Sequence, residues 1–399
     1  MLCGALVLRP KRLGFCQDLF DARAKTQGMS QTGPALPLAP MRSLRFDSIL
    51  VLGCVALAFL FGGVARANPI DPLVFMVLLY ADIYLLGSHH IVAMYTRLCF
   101  DKESFQENKF FLTWLPLIVV CGIVFAMWMA GGTTIISTVY LYWQWFHYTR
   151  QSYGITRIYA RKEPPQSAFD IRLQNVMLYV VPLWGILFIS RQKNLNPSMQ
   201  FLMSDFWAPT VPAWLLSAVG YLALATVVAW VVRLPMRYLE GKLAIMPTLY
   251  VISHLLIFMT GYYWLGRIHI NLGWLVINIW HNCQYILIVW LYNNTRFRNG
   301  LDTQHPFLSR ISQAEFLWKY LGTCLGITLA VALCIRVFAG YIAPNYLPSL
   351  GVEGAWPVLV YQALNFHHYI VDGYIWKVRK KEVRERLGVV DQEIEKVAH

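Results

Sequence analysis

Ten runs of mostly apolar residues recur along the chain, and each is about 20 residues long, enough for one helix to cross the hydrocarbon core of a bilayer. The runs occupy residues 48–66, 72–94, 110–129, 133–153, 173–190, 211–232, 245–265, 273–292, 320–340 and 354–376. They predict an all-α fold, a polytopic integral membrane helical bundle of about ten transmembrane helices.

The composition favours the same class of protein. Of the 399 residues, 57% are hydrophobic and only 14% are charged, and a soluble domain of this size does not need so much apolar surface. The net charge of +13 comes from Lys and Arg residues that fall between the apolar runs, where orientation in a membrane explains them. We therefore expect no nucleic-acid partner. The eight cysteines form no CxxC pair, which disfavours a disulfide framework or a zinc site.

The basic residues also predict how the bundle is oriented. With ten spans, nearly all loop Lys and Arg residues fall on one side, and the other side has only Arg66, Arg191, Lys193, Arg267 and Arg336. Because Lys and Arg collect on the cytoplasmic side, both termini are predicted to be cytoplasmic. We expect a disordered segment at 1–45, the bundle at 46–376 and a charged cytoplasmic tail at 377–399. The expected location is the inner (plasma) membrane of a bacterium.

Seven histidines and one of the aspartates are among the ionisable residues inside these apolar runs, where such residues are rare and mark function. They are His89, His90, His147, His254, His281, His367, His368 and Asp372. With the predicted topology and a rise of about 1.5 Å per residue, all seven histidines fall within roughly 5–20 Å of the cytoplasmic ends of their helices. This shared depth indicates a common site, and we predict these eight residues as metal ligands.

Several polar residues stand at helical spacing from these histidines. A ligating imidazole usually donates its second N–H to a carboxylate, an amide or a carbonyl, which fixes its tautomer. The residues of this kind are Asp82, Gln151, Asn278 and Asn365. We predict that they hydrogen-bond to the ligating imidazoles. Asp82 is alternatively a ligand itself.

The donor set points to redox chemistry. Neutral imidazole suits iron, copper and zinc, and a carboxylate adds a hard anionic ligand. Iron with open positions can activate O₂ against an unactivated C–H bond. We therefore predict a metal-dependent oxidoreductase with one or two non-haem iron ions, which hydroxylates, desaturates or oxidatively cleaves a lipid or other hydrophobic substrate. Membrane lipids and an electron-donor protein are the expected partners.

The histidine set resembles that of the membrane histidine-rich di-iron oxygenases and desaturases, which carry His boxes near the cytoplasmic side of a helical bundle. Their boxes are typically HxxxH and HxxHH. This chain has HH at 89–90 and 367–368 and single histidines at 147, 254 and 281, and it has no HxxxH. The resemblance implies an iron centre, close to the cytoplasm, that is bound by these histidines.

Two other functions fit the same residues. Two histidines on facing helices could ligate a haem in an electron-transfer protein, with the aromatic residues around His147 packing against it. Alternatively, the histidines could line a proton-coupled transport pathway, since polar residues in bundle cores serve this purpose too. A single histidine in a span can also simply hydrogen-bond between helices, and for His254 this interpretation stands beside the functional one.

Overall fold

The structure is a computed structural model that describes residues 36–67, 72–100, 102–342, 345, 356–377 and 381–387. Within these ranges there are ten helices of at least 20 residues and no strand. They are α1 (Leu44–Ala67), α2 (Leu73–Leu98), α3 (Lys109–Ala130), α4 (Thr134–Tyr159), α5 (Ala168–Leu195), α6 (Ala213–Leu239), α7 (Ile245–Leu265), α8 (Ile270–Arg296), α9 (Ala314–Ile342) and α10 (Trp356–Ile375). Each coincides with one of the predicted apolar runs.

Among the described residues, eight helices are long and apolar enough to cross a membrane, and they indicate an integral membrane protein. The two remaining long helices are α4 and α10. These carry His147 and the stretch from His367 to Asp372, which are buried. Polar residues lower the hydropathy of the helices that bear them, so α4 and α10 are the least apolar because of the side chains they bring into the interior.

Several helix ends meet at one end of the bundle. The Arg97 guanidinium, at the end of α2, donates to the backbone oxygen of Ile375 at the end of α10 (2.9 Å). Near the start of α9, the Tyr320 hydroxyl lies 3.0 Å from the hydroxyl of Thr96. We call this the basic end, because Arg97 and Lys377 lie there. The ends of α2 and α10 and the start of α9 are therefore neighbours.

Helix α8 is the centre of the bundle, since 94% of its most apolar 18-residue stretch is buried. It packs on α1, α2, α4 and α7. Glycines allow a very close approach between α7 and α8, because a Cβ atom at Gly273 would overlap the backbone oxygen of Gly261. Small residues serve this purpose in membrane bundles, where backbones pack directly on each other.

A wide helical turn interrupts α2 over Asp82–Gly87. Such turns, with hydrogen bonds from residue i to i+5, often mark functional sites. The turn directly precedes His89 and His90, and Asp82 within it is buried. It therefore sets the direction in which the following histidines point and brings a carboxylate into the interior.

The predicted disordered segment 1–45 lies outside the described residues up to position 35. From Pro37 the chain contacts the bundle, because the backbone nitrogen of Ile245 donates to the backbone oxygen of Pro37 (3.0 Å). The Asp47 carboxylate accepts hydrogen bonds from the backbone of Met41 (2.7 Å) and from the Tyr159 hydroxyl (2.6 Å). At the other terminus, only 377 and 381–387 of the predicted tail 377–399 are described.

Candidate metal centre

Four imidazoles from four helices converge in the interior. They are His90 on α2, His147 on α4, His281 on α8 and His368 on α10, and all four are buried. The ring centroids of His90 and His368 lie 4.6 Å apart, and those of His147 and His281 lie 4.9 Å apart. His147 and His368 are 5.0 Å apart. These rings thus form one cluster.

A carboxylate completes the cluster. Asp372 follows His368 by one helical turn on α10, and its Oδ2 lies 3.5 Å from the His368 Nε2 and 3.9 Å from the His147 Nε2. Among the described residues, donor atoms within 4.8 Å of one another form the groups His90–His281–His368 and His147–His368–Asp372. Because His368 belongs to both, the five residues make a single site.

The donor atoms of the cluster face each other rather than other protein groups. The His90 and His368 Nε2 atoms are 3.1 Å apart. Within the described structure, neither ring nitrogen of His281 nor the Nε2 of His147 has a hydrogen-bond partner, although all are buried. Buried polar atoms are nearly always paired in proteins. These unpaired nitrogens therefore fit a bound ion, which would accept their lone pairs.

Two aromatic residues hold the carboxylate in place. The Tyr285 hydroxyl donates to the Asp372 Oδ1 (2.6 Å), and the Trp376 indole N–H donates to the Tyr285 oxygen (3.0 Å). One carboxylate oxygen is thus occupied, which leaves Oδ2 facing the imidazoles. These roles of Tyr285 and Trp376 were not predicted from the sequence. The signal was available, because Tyr285 follows His281 by four residues, and residues four apart share a helix face.

Replacing Tyr285 by phenylalanine should weaken metal binding without unfolding the protein. The ring would still pack beside His90 and His368, at 5.3 and 5.2 Å, but the bond to Asp372 would be lost. Loss of such an outer partner typically costs about 10–100-fold in metal affinity, and we expect a decrease in that range by equilibrium metal titration. Tyr374→Phe on α10 is the matched control, and an equal loss there would contradict the role of Tyr285.

His89 and His367, which directly precede the clustered His90 and His368, make other contacts. The His367 Nε2 lies 2.6 Å from the backbone oxygen of Phe111, and its Nδ1 lies 3.1 Å from the Tyr95 hydroxyl. Both nitrogens are therefore occupied by protein groups. The His89 Nδ1 lies 3.2 Å from the backbone oxygen of Leu85, one turn earlier. Consecutive helical residues point in different directions, so only one member of each pair reaches the cluster.

His254 also lies apart from the five clustered residues. Its Nδ1 is 2.7 Å from the Ser152 hydroxyl on α4, and its ring packs 4.6 Å from the ring of Phe258. This contact joins α7 to α4. Hydrogen bonds of this kind commonly connect helices within membranes, so the contact with Ser152 fits the interhelical interpretation of His254.

The polar residues predicted to support the ligands make different contacts. The Gln151 amide donates to the backbone oxygen of His281 (3.1 Å), and the Asn365 amide donates to Tyr361 in its own helix (2.8 Å). Asn278 donates to Asp82. In the part of the chain that the structure describes, none of these amides hydrogen-bonds an imidazole nitrogen. Support instead comes from Tyr285, through Asp372.

A comparison with protein-family models, with curated proteins and with solved structures finds no match to this chain. The donors of the site themselves indicate which ion it suits. Four imidazoles and one carboxylate suit a transition-metal ion, since imidazole binds iron, copper and zinc and a carboxylate adds a hard anionic donor.

Proposed function

We propose that the protein is a membrane-embedded, metal-dependent oxidoreductase. Its ligands are His90, His147, His281, His368 and Asp372. One observation carries the proposal: these side chains meet in an apolar interior while several of their nitrogens lack a hydrogen-bond partner among the described residues. Burying unpaired polar groups is costly, and a bound ion removes that cost.

Non-haem iron is the proposed metal. Mixed imidazole and carboxylate ligands with open positions are typical of non-haem iron oxygenases, and bound iron supplies the activation of O₂ against a C–H bond. The imidazoles hold the ion, and the Asp372 carboxylate supplies negative charge to it. The surrounding apolar helices exclude water and favour a lipid or another hydrophobic substrate, which is hydroxylated, desaturated or cleaved.

The spacing of the rings supports an ion rather than a haem. A haem lies as a flat macrocycle between its two axial imidazoles. Here the His90 and His368 nitrogens are only 3.1 Å apart and their rings meet edge to face, which leaves no slot between them for a porphyrin.

The same geometry supports one ion per chain rather than two. His368 is common to both groups of donors, and its Nε2 lies 3.1 Å from the His90 Nε2 and 3.5 Å from the Asp372 Oδ2. Its other nitrogen, Nδ1, lies 3.2 Å from the Met94 sulfur. One nitrogen lone pair binds one ion, so the two groups describe a single coordination sphere.

We further propose that all ten helices cross the plasma membrane of a bacterium, with both termini and the metal towards the cytoplasm. The excess of Lys and Arg at the basic end supports this orientation. Asp372 is only five residues from Lys377 at that end. An electron-donor protein would therefore act from the cytoplasmic side.

A proton pathway is the second candidate function, because the 3.1 Å separation of the His90 and His368 nitrogens also fits a direct hydrogen bond. In that case the cluster would pass protons between imidazoles and would need no metal. The metal content of the protein separates the two functions.

The test is to purify the full chain gently, without chelators, and to measure its metals and its absorbance. We expect about one equivalent of iron per chain, no Soret band, and O₂ uptake when a reductant and membrane lipids are supplied. A Soret band would favour haem instead. Less than about a tenth of an equivalent of any transition metal, both as isolated and after anaerobic addition of Fe²⁺, would rule out the proposal.

A further inference from the structure

A second buried carboxylate lies in the wide turn of α2, outside the histidine cluster. Asp82 is 0% exposed. Its Oδ2 accepts a hydrogen bond from the Asn278 amide, and its Oδ1 lies 3.3 Å from the Asn282 amide nitrogen. Among the described residues, no Lys, Arg or His forms an ion pair with it. The carboxylate is therefore held by neutral groups alone.

The groups that hydrogen-bond to the Asp82 carboxylate carry no positive charge. An ionised carboxylate in a membrane interior is expensive unless it is paired or hydrogen-bonded, and residues of this kind line ion sites and pathways. Two amide donors satisfy lone pairs but leave the negative charge uncompensated. A bound cation would supply the missing charge.

A neighbouring oxygen is available for such a cation. The Asn282 Oδ1 is buried and has no hydrogen-bond partner in the described structure, and Asn282 is 0% exposed. Its amide already faces Asp82. A half-turn about the last side-chain bond exchanges the amide nitrogen and oxygen, whose assignment rests on the surrounding hydrogen bonds. The Asn282 oxygen would then lie beside the Asp82 carboxylate in place of the amide nitrogen. A cation between them would accept lone pairs from both groups.

The backbone of the wide turn also lies close to the Asn282 amide. A Cβ atom at Gly87 would lie 3.5 Å from the Asp82 backbone oxygen and 3.7 Å from the Asn282 amide nitrogen, so both groups lie beside Gly87. Irregular helical segments in membrane proteins coordinate small cations through backbone oxygens. With the Asn282 amide turned, the site combines the Asp82 carboxylate, the Asn282 amide oxygen and the neighbouring Asp82 backbone oxygen.

We propose that Asp82, Asn282 and the wide turn of α2 bind a monovalent alkali cation. Oxygen donors suit hard cations, whereas the imidazoles of the metal centre suit transition metals. One carboxylate neutralises one positive charge, but a divalent ion would leave a net charge in the apolar interior. The site is separate from the metal centre, and Tyr148 lies between them: its hydroxyl donates to Asn278, and its ring lies 4.2 Å from that of His281.

Thermal unfolding of the purified full chain tests the proposal. Choline chloride is exchanged stepwise for NaCl at constant ionic strength, and KCl is used in a parallel series to separate the two ion sizes. A ligand that binds only the folded state raises the unfolding midpoint. We expect a saturating rise of about 2–4 °C with the alkali salt that fits the site, and no rise in Asp82→Asn.

Two further measurements keep the result decisive. Asp372→Asn should keep the salt-dependent rise but lose the transition metal, whereas Asp82→Asn should keep the transition metal. The two variants therefore distinguish a wrong assignment of the metal centre from a wrong assignment of the alkali-cation site. Equilibrium binding of radioactive Na⁺, with K⁺ as competitor, is measured on the unchanged protein in case Asp82→Asn does not fold. Identical midpoints in NaCl, KCl and choline chloride, together with no bound alkali ion, would overturn the proposal and leave a protonated carboxyl in its place.

Discussion

Replacing His368 by alanine should abolish high-affinity metal binding, whereas the same replacement at His367 should leave it intact. His368 is 0% exposed, and its Nε2 lies within 3.5 Å of donor atoms of both His90 and Asp372. His367 is its immediate neighbour and is equally well buried, but both of its nitrogens contact Phe111 and Tyr95. The pair therefore compares a proposed ligand with a neighbouring histidine that is not proposed as one.

The expected loss at His368 is at least about 100-fold in affinity, since losing only an outer partner of a ligand costs about 10–100-fold. Metal per chain after purification and an equilibrium titration with Fe²⁺ provide the two readouts. His367→Ala should lower stability through its lost hydrogen bonds, by about 1–3 kcal/mol, but should retain the metal. If both variants retained metal equally, the five-residue site would be assigned incorrectly.

Replacing Gly273 by alanine should prevent normal packing of the bundle. The new methyl group would overlap the backbone oxygen of Gly261 on α7. A flexible side chain could turn away, but a backbone oxygen moves only if the helix moves. Overpacking costs typically about 1–3 kcal/mol, and we expect the upper part of this range or more. Unfolding in a denaturing detergent and the yield of monodisperse protein would measure it.

Gly322→Ala is the matched control for this change. Gly322 lies within α9, and a Cβ atom there would meet no atom within 4 Å other than those of its chain neighbours and the adjacent backbone of its own helix. Alanine is the better helix former by about 1 kcal/mol, so this variant should be as stable as the parent or slightly more stable. Equal stability of the two alanine variants would mean that α7 and α8 do not approach as closely as the structure indicates.

The positions of the long helices could be predicted from the sequence because apolar length alone defines them. Apolar runs such as 133–153 and 354–376 coincide with α4 and α10 even though these helices carry the most polar side chains of the site. The wide turn at Asp82–Gly87 could not be predicted, since its hydrogen bonds depend on how α2 packs against α8 rather than on local residue preferences.

The candidate site was only partly accessible to sequence reasoning. Burial in an apolar run marked all seven histidines, but it did not say which way each ring points. In the pairs His89–His90 and His367–His368, the second member faces the cluster, and this depends on the rotation of each helix. The contact between Tyr285 and Asp372 joins two helices that are far apart in sequence, so no local spacing defines it.

The order of the helices along the chain has a consequence for biosynthesis. Helix α10 comes after nine other long helices, and it supplies both His368 and Asp372. Membrane insertion proceeds from the N-terminal side as the ribosome works, so an unfinished product that lacks α10 would hold three imidazoles and no carboxylate. On the proposed assignment, the complete set of donors His90, His147, His281, His368 and Asp372 therefore exists only once α10 has been synthesised.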